Sequence, residues 1–162
     1  MQAPGLGVLV RGVAGAVGPE QGSRRLVPGQ RFQRRRRPPL SVLIVSFGYK
    51  YGLPLDADLV FDARFLPNPF YVEDLRAKNG KNRRVREFVL GAAESRAYLE
   101  EMGRFLRFLL PRVTAEGKSR LVVAVGCTGG KHRSVTIAEY LAQHYRLQGS
   151  YTIVRHRDLA RE

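Results

Sequence analysis

The sequence predicts a single small α/β domain with a mainly parallel sheet over residues 40–162, and three observations carry that prediction. Apolar, β-branched runs of strand length recur along the chain, a stretch of helical period lies between them, and a glycine-rich turn joins one run to a following helix. Strand, glycine turn, helix and strand in succession form a βαβ unit, which implies neighbouring parallel strands and a right-handed crossover.

Residues 1–39 stand apart from that domain. They mix Gly, Ala, Val and Pro without helix or strand period and end in Arg34-Arg35-Arg36-Arg37, so a disordered, Arg-rich extension is expected. The apolar stretch 6–17 is broken by Arg11 and by glycines, unlike a secretory signal. An organellar address, an RNA-binding tail and an extension without a specific role all remain open for it.

From Leu40 the pattern tightens. Val42-Leu43-Ile44-Val45-Ser46-Phe47, ended by Gly48, reads as a buried strand, and Leu59-Val60-Phe61 as another. Pro67-Asn68-Pro69 enforces an extended loop. Over 94–110 apolar residues recur at Leu99, Met102, Leu106 and Leu109, with Phe105 and Leu110 beside them, which predicts an amphipathic helix ending before Pro111. Leu121-Val122-Val123-Ala124-Val125 is the next strand, a helix follows over 134–147, and residues 151–154 form the last strand.

Between that strand and that helix, residues 126–134 read G-C-T-G-G-K-H-R-S. A glycine loop opening a helix is an anion site, because free backbone N–H groups and the positive end of the helix dipole converge there. Gly126, Cys127, Thr128, Gly129, Gly130, Lys131, His132 and Arg133 are the candidate phosphate-binding residues, with Ser134 starting the helix. Ligands of open α/β sheets gather at the carboxyl ends of strands, so the loops after Phe47 and Phe61 should bring Lys50, Asp62 and Arg64 to the same place.

The chain carries 28 Lys+Arg against 14 Asp+Glu, a formal net charge of +14. Residues 1–39 hold eight arginines and one acid, so half of the excess lies in the domain. A polyanion such as RNA is one reading of that excess, and a solvated basic surface is the other. Lys78, Lys81, Arg83, Arg84 and Arg86 surround Asn79-Gly80 and are expected to decorate a flexible loop that contacts RNA phosphates. Arg155, His156 and Arg157, placed after the last strand, form a second basic patch, in which Arg155 and Arg157 are the RNA-binding candidates. Tyr49, Tyr51, Phe70 and Tyr71 are assigned to core or pocket walls, and base-specific readout is not indicated.

No apolar run approaches the roughly 18 residues of a membrane span, and the single cysteine cannot form an internal disulfide, so a cytoplasmic protein without membrane association is expected. Three scattered histidines and one cysteine lack metal-ligand spacing, so neither a metal nor a cofactor is predicted.

Four stretches, S-F-G-Y-K-Y-G-L-P from Ser46, D-A-D-L-V-F-D-A-R-F-L-P-N-P from Asp56, the 126–134 loop and R-H-R-D-L from Arg155, resemble the C-terminal domain of the RapZ (RNase adapter protein) family. The resemblance implies a homo-oligomeric adapter that binds small regulatory RNA, senses glucosamine-6-phosphate and regulates amino-sugar metabolism. It places the phosphosugar pocket at residues 127–134 with Asp62 and Arg64 as neighbours, and it implies an RNase or a separate nucleotide-binding partner. Two departures stand out. The chain has no G-x-x-x-x-G-K-[ST], so the family's nucleotide-binding half is missing, and Asn68-Pro69-Phe70 replaces the family's N-P-H.

Chemistry supplies an alternative. Cys127, Arg133 and Ser134 match C-x5-R-[ST], the loop of cysteine-dependent phosphatases, in which Asp58 or Asp62 would protonate the leaving group. Gly126 stands where such enzymes usually carry His. A binding module, not an enzyme, is the expected class.

Overall fold

A computed structural model describes residues 40–144 and 151–161; the extension over 1–39 and the end of the helix expected to reach residue 147 lie outside them. The four apolar runs become β1 (Ser41–Gly48), β2 (Leu59–Asp62), β3 (Arg120–Cys127) and β4 (Tyr151–His156). All pairs are parallel, in the order β2-β3-β1-β4. The fold is a small α/β domain, as the sequence predicts.

One topological expectation fails. β3 and β4 are not neighbours, because β1 lies between them, with Ser46 level with Val125 on one side and His156 on the other. The burial pattern gives the reason: β1 is buried over most of its length, as a central parallel strand must be, whereas β4 alternates exposed with half-buried residues and suits an edge. Arg155 and His156 are thus inside β4, and only Arg157 follows it.

Helices α1 (Glu73–Arg76), α2 (Arg83–Gly91), α3 (Ala93–Ala115) and α4 (Arg133–His144) complete the domain. α3 runs through Pro111 instead of stopping before it. Pro111 lies on the exposed side of the helix, and the turn beyond is held by Thr114 Oγ1 donating to the Leu110 carbonyl at 2.8 Å. The buried stripe of α3 is Ser95, Leu99, Met102, Gly103, Leu106 and Leu110, so Leu110 takes the core position expected of Leu109. It meets Val42 and Ile44 of β1, Leu121, Val123 and Val125 of β3, and Ile137, Ala138 and Leu141 of α4 in one cluster. Each such side chain contributes about 2 kcal/mol by leaving water. Among the described residues no helix is long and apolar enough to cross a membrane.

The connection from β1 to β2 crosses β3, since it must pass from the carboxyl end of one strand to the amino end of the other. Pro54 is buried in this crossover. Asp58 clasps Val122 at its end: the Asp58 N–H donates to the Val122 carbonyl at 2.9 Å, and the Val122 N–H donates to the Asp58 carboxylate at 2.8 Å.

Polar contacts lock the other elements. The Ser46 hydroxyl lies 2.7 Å from His156 Nδ1, His156 Nε2 donates to Glu139 of α4 at 2.9 Å, and Lys81 reaches the same carboxylate at 3.8 Å. Asp158, fully buried just past β4, accepts the Gly48 N–H at 2.8 Å and a fork from Arg157 at 2.7–3.0 Å, with Arg161 at 3.4 Å. It ties the ends of β1 and β4 together.

Burial works to raise the Asp158 carboxyl, but the bonds from Arg157 and Gly48 and the charges of Arg157 and Arg161 outweigh it and hold it below the usual carboxylate range. The ionised form therefore contributes stability at neutral pH that is lost as pH falls through the folded value, below about 4. Asp158→Asn should lower unfolding free energy at pH 7 by about 3 kcal/mol, because it leaves Arg157 without its carboxylate. Urea titrations should also show a shallower acid loss in the variant than in wild type; parallel pH curves would refute the role.

Candidate anion-binding site

The carboxyl end of β3 is flanked on both sides, with Gly126 level with Asp62 of β2 and Cys127 level with Gly48 of β1. The chain then turns through residues 128–132 and enters α4 at Arg133. This turn lies directly on the end of β1. Gly130 has φ +71°, and a Cβ there would sit 2.6 Å from the Gly48 nitrogen and 3.1 Å from Asp158 Cβ, so both conformation and contact demand glycine. Lys50 N–H donates to the Thr128 carbonyl at 3.2 Å.

Arg133 is the central group. Its side chain sits in the core with the residue only 5% exposed, and Nη1 donates to the carbonyls of Arg64 and, at 3.2 Å, Leu66. Nη2 lies 3.4 Å from Thr128 Oγ1, and Nε has no partner. A buried guanidinium is thus met by carbonyl dipoles and a hydroxyl, and no carboxylate among the described residues bonds it. Its charge reaches outward, helping to depress the Asp62 carboxyl.

Asp62 and Arg64 form a partly exposed pair at the end of β2. Arg64 Nε and Nη2 donate to the carboxylate at 2.7–3.0 Å, the Arg64 N–H adds a bond at 2.9 Å, and the guanidinium stacks 4.0 Å from the Tyr49 ring centroid. Burial tends to raise the Asp62 carboxyl, but the Arg64 bonds and the charges of Arg64 and Arg133 more than cancel it, so it is held ionised. Tyr98 donates to the Asp62 carbonyl at 2.9 Å. Lys50 is exposed, its stem beside Gly129 and its ammonium 4.7 Å from the Tyr51 centroid.

The remaining loop residues have separate places. Cys127 is 3% exposed, with Sγ 3.2 Å from Ser134 Oγ, and both are buried. His132 points at the 75–78 turn, with Nε2 3.2 Å from the Arg76 carbonyl. Burial depresses its pKa and Lys131 adds to this, against the opposing effect of backbone carbonyls, so the ring is a neutral donor to backbone at pH 7. Thr128 is exposed and Gly129 and Lys131 are half-buried. The accessible part of the site is therefore Thr128, Gly129, Lys131, Lys50, Asp62 and Arg64.

Asp58 is not part of it. It is level with Val122, four residues before Gly126 and so about 13 Å down the strand, where it pairs with Lys118.

The 78–86 segment is a built structure, not a flexible loop. Asn79 and Asn82 accept the N–H groups of Lys81 and Arg84 at 3.0 Å, and α2 starts at Arg83. Gly80 presses on the first turn of α4: its N–H donates to the Lys131 carbonyl at 2.9 Å, it accepts from Thr136 Oγ1 at 3.2 Å, and a Cβ there would lie 2.7 Å from Thr136 N. The cations of the segment are engaged. Arg83 pairs with Glu87 and Arg84 with Asp74 at 3.1 Å, Lys81 approaches Glu139, Arg86 donates to Gln143 at 3.0 Å, and Lys78 donates to the Asp74 carbonyl. Arg157 is taken up by Asp158 and by the Gly52 carbonyl at 2.7 Å, and Arg155 is exposed on β4. Sequence reasoning missed Asp158, although R-H-R-D-L carries it, and Gly80, for which Asn79-Gly80 was the available signal.

Residues 40–160 match the model of the RapZ C-terminal domain. The chain belongs to the RapZ C-terminal domain family. It is 54% identical over 119 residues to a nucleotide-binding protein of Thermoanaerobacter sp., covering 74% of this chain and 42% of that protein. It is also 49% identical over 133 residues to a nucleotide-binding protein of Bacillus licheniformis, with 82% and 45% covered. A nucleotide-binding protein of Caldicellulosiruptor saccharolyticus is 50% identical over 129 residues, with 80% and 44% covered. The chain thus spans less than half the length of these curated relatives. In this RapZ C-terminal domain the glycine loop, Asp62 with Arg64, and the 155–159 stretch all meet at one end of the sheet.

Two outcomes follow from the geometry. Gly130→Ala should cost at least about 2 kcal/mol by strain and contact with Gly48, read as a lower midpoint in thermal unfolding. For His132 the folded pKa lies below the unfolded one, so the unfolded chain binds the proton first and stability falls as pH drops below about 6.5. His132→Gln should flatten stability between pH 7 and 5 in denaturant titrations; a slope equal to wild type would remove the assignment.

Proposed function

We propose that this domain is a regulatory phosphate-binding module, whose ligand is a phosphorylated amino sugar such as glucosamine-6-phosphate and whose macromolecular partner is RNA. The observation that carries the reading is Arg133: a buried cation with no carboxylate bonded to it, and with an unpartnered Nε, sits where a glycine loop opens a helix. Burying an uncompensated charge is costly, and an anion at the loop offsets that cost. Phosphate oxygens would be met by the 128–131 backbone and Lys50, while Asp62, held ionised, offers an acceptor for an amine or hydroxyl.

Binding is favoured over phosphoryl transfer. The C-x5-R loop needs an accessible thiolate and a guanidinium facing the phosphoryl oxygens, but Cys127 is buried against Ser134 and Arg133 is committed to carbonyls. An ionised Asp62 is unsuited to protonate a leaving group.

The relatives are named as nucleotide-binding proteins, and this chain lacks a P-loop motif. In our reading nucleotide binding belongs to the part of those relatives that this chain does not span. Sugar and RNA would be coupled through one basic surface, each changing the affinity of the other.

Calorimetry with glucosamine-6-phosphate at low salt tests the reading, with a nucleoside monophosphate and inorganic phosphate as competitors. Saturable heat is expected, and Lys50→Ala, which leaves the Arg133 clamp intact, should weaken binding about tenfold. Absence of heat in wild type would overturn the phosphosugar reading.

A further inference from the structure

Residues alternate faces along a strand, and paired positions of neighbouring strands point the same way. Val42 and Ile44 of β1, with Leu121, Val123 and Val125 of β3, join α2, α3 and α4 in one core cluster, so among the described residues the three longer helices all lie on one face of the sheet. Leu43, Val45, Val122, Ala124 and Ile153 belong to the other face. A parallel sheet is ordinarily covered on both.

The second face is covered by the link from β1 to β2. The link starts on that face, because a Cβ on Gly126, level with Phe47, would sit 2.5 Å from the Tyr49 ring, and Arg157, stacked 5.5 Å from the Phe47 centroid, donates to the Tyr51 and Gly52 carbonyls. Pro54 is buried within it, while Leu53 and Leu55 on either side are 53% and 98% exposed. The link travels from β1 toward β2, away from β4, and leaves the β4 side of the face open. There Tyr151 is 67% and Ile153 44% exposed, with Leu43 half-buried beside Ile153. Apolar surface left in this way marks a docking site.

The chain supplies an occupant of its own. The Leu40 carbonyl accepts the Tyr151 N–H at 3.0 Å, so residues 1–39 join the sheet directly beside the open strip. Within them the stretch 6–17 holds Leu6, Val8, Leu9, Val10, Val13 and Val17 against a single charge, Arg11. Residues 18–39 are the tether. A flexible tether of that length spans about 26 Å, close to the roughly 26 Å of an eight-residue strand such as β1. At that length the tethered segment stands at an effective concentration on the order of millimolar, so a modest affinity holds it in place. Arg120 and Arg155 point from the same face, which disfavours the Arg34–Arg37 run as the occupant and selects the apolar stretch. We infer that residues 6–17 of this chain dock on the helix-free face of the sheet, at Leu43, Tyr151 and Ile153.

Two readouts on the 162-residue chain test this. In trypsin digestion followed by mass spectrometry, Arg11 should be cut at least about tenfold more slowly than Arg25 of the tether, because only the undocked fraction is open to the protease. Leu9→Asp combined with Val10→Asp, which leaves the core untouched, should bring Arg11 to the rate of Arg25. Under mild oxidation by glutathione disulfide, Val10→Cys should form an intrachain disulfide with Ile153→Cys and not with Phe108→Cys, a position 56% exposed on α3. Circular dichroism melts identify any cysteine variant that merely unfolds, and the trypsin comparison stands without it. Arg11 cut as fast as Arg25, equal trapping at Phe108, or a disulfide between two chains, which would make a second copy the occupant, would each overturn the inference.

Discussion

The carboxyl end of this sheet depends on one buried guanidinium. Arg133 opens α4 and spends Nη1 on two carbonyls of the segment that follows β2, so a helix and a loop far apart in sequence are pinned to each other. The charge is not cancelled by an acid. Carbonyl dipoles solvate it, as they can in a low-dielectric interior, but they leave a positive potential that spreads to the loop surface and to Asp62. The contacts by which Arg133 fixes Arg64 and Leu66 also decide where the charges at this end of the sheet stand.

Around this cation the site is mostly backbone. Gly130 and Gly80 allow main chain to lie against main chain on two sides of the α4 entrance, and Asp158 holds the end of β1 beneath. Few side chains are left to face solvent, and those that do, Thr128, Lys50, Asp62, Arg64 and Lys131, sit at the rim. The two populations of charge respond differently to medium. Rim cations are screened within about 10 Å at ordinary salt, whereas the buried one is screened far less.

Much of this was legible in the chain. Strands β1 and β3 announce themselves as β-branched runs, the α3 stripe as a helical period, and the glycine stretch as a turn between strand and helix. The order of the strands was not legible, because adjacency in a parallel sheet is decided by which strand can be buried on both faces, a comparison among distant segments. Pro111 misled because a proline need not end a helix when, as here, it lies on the exposed side and packing of the opposite face holds the turns around it. The role of Arg133 was hidden for a related reason: C-x5-R spacing gives the position of a guanidinium but not whether carbonyls or a ligand will occupy its donors. The 78–86 run looked mobile because Asn79, Gly80 and clustered charge signal a loop locally, whereas its anchors, Lys131, Thr136 and Glu139, lie about fifty residues away in sequence.

Ser46, His156, Glu139 and Lys81 come from the central strand, the edge strand, the α4 helix and the turn that caps that helix. Linked in series, they act as a tie rod running from the middle of the sheet, through β4 and α4, to the turn. Sliding α4 along the sheet would stretch every link at once, so the helix entrance keeps its depth relative to β3. The carboxyl face of the domain is thus a stiff plate, with adjustment confined to the rim side chains.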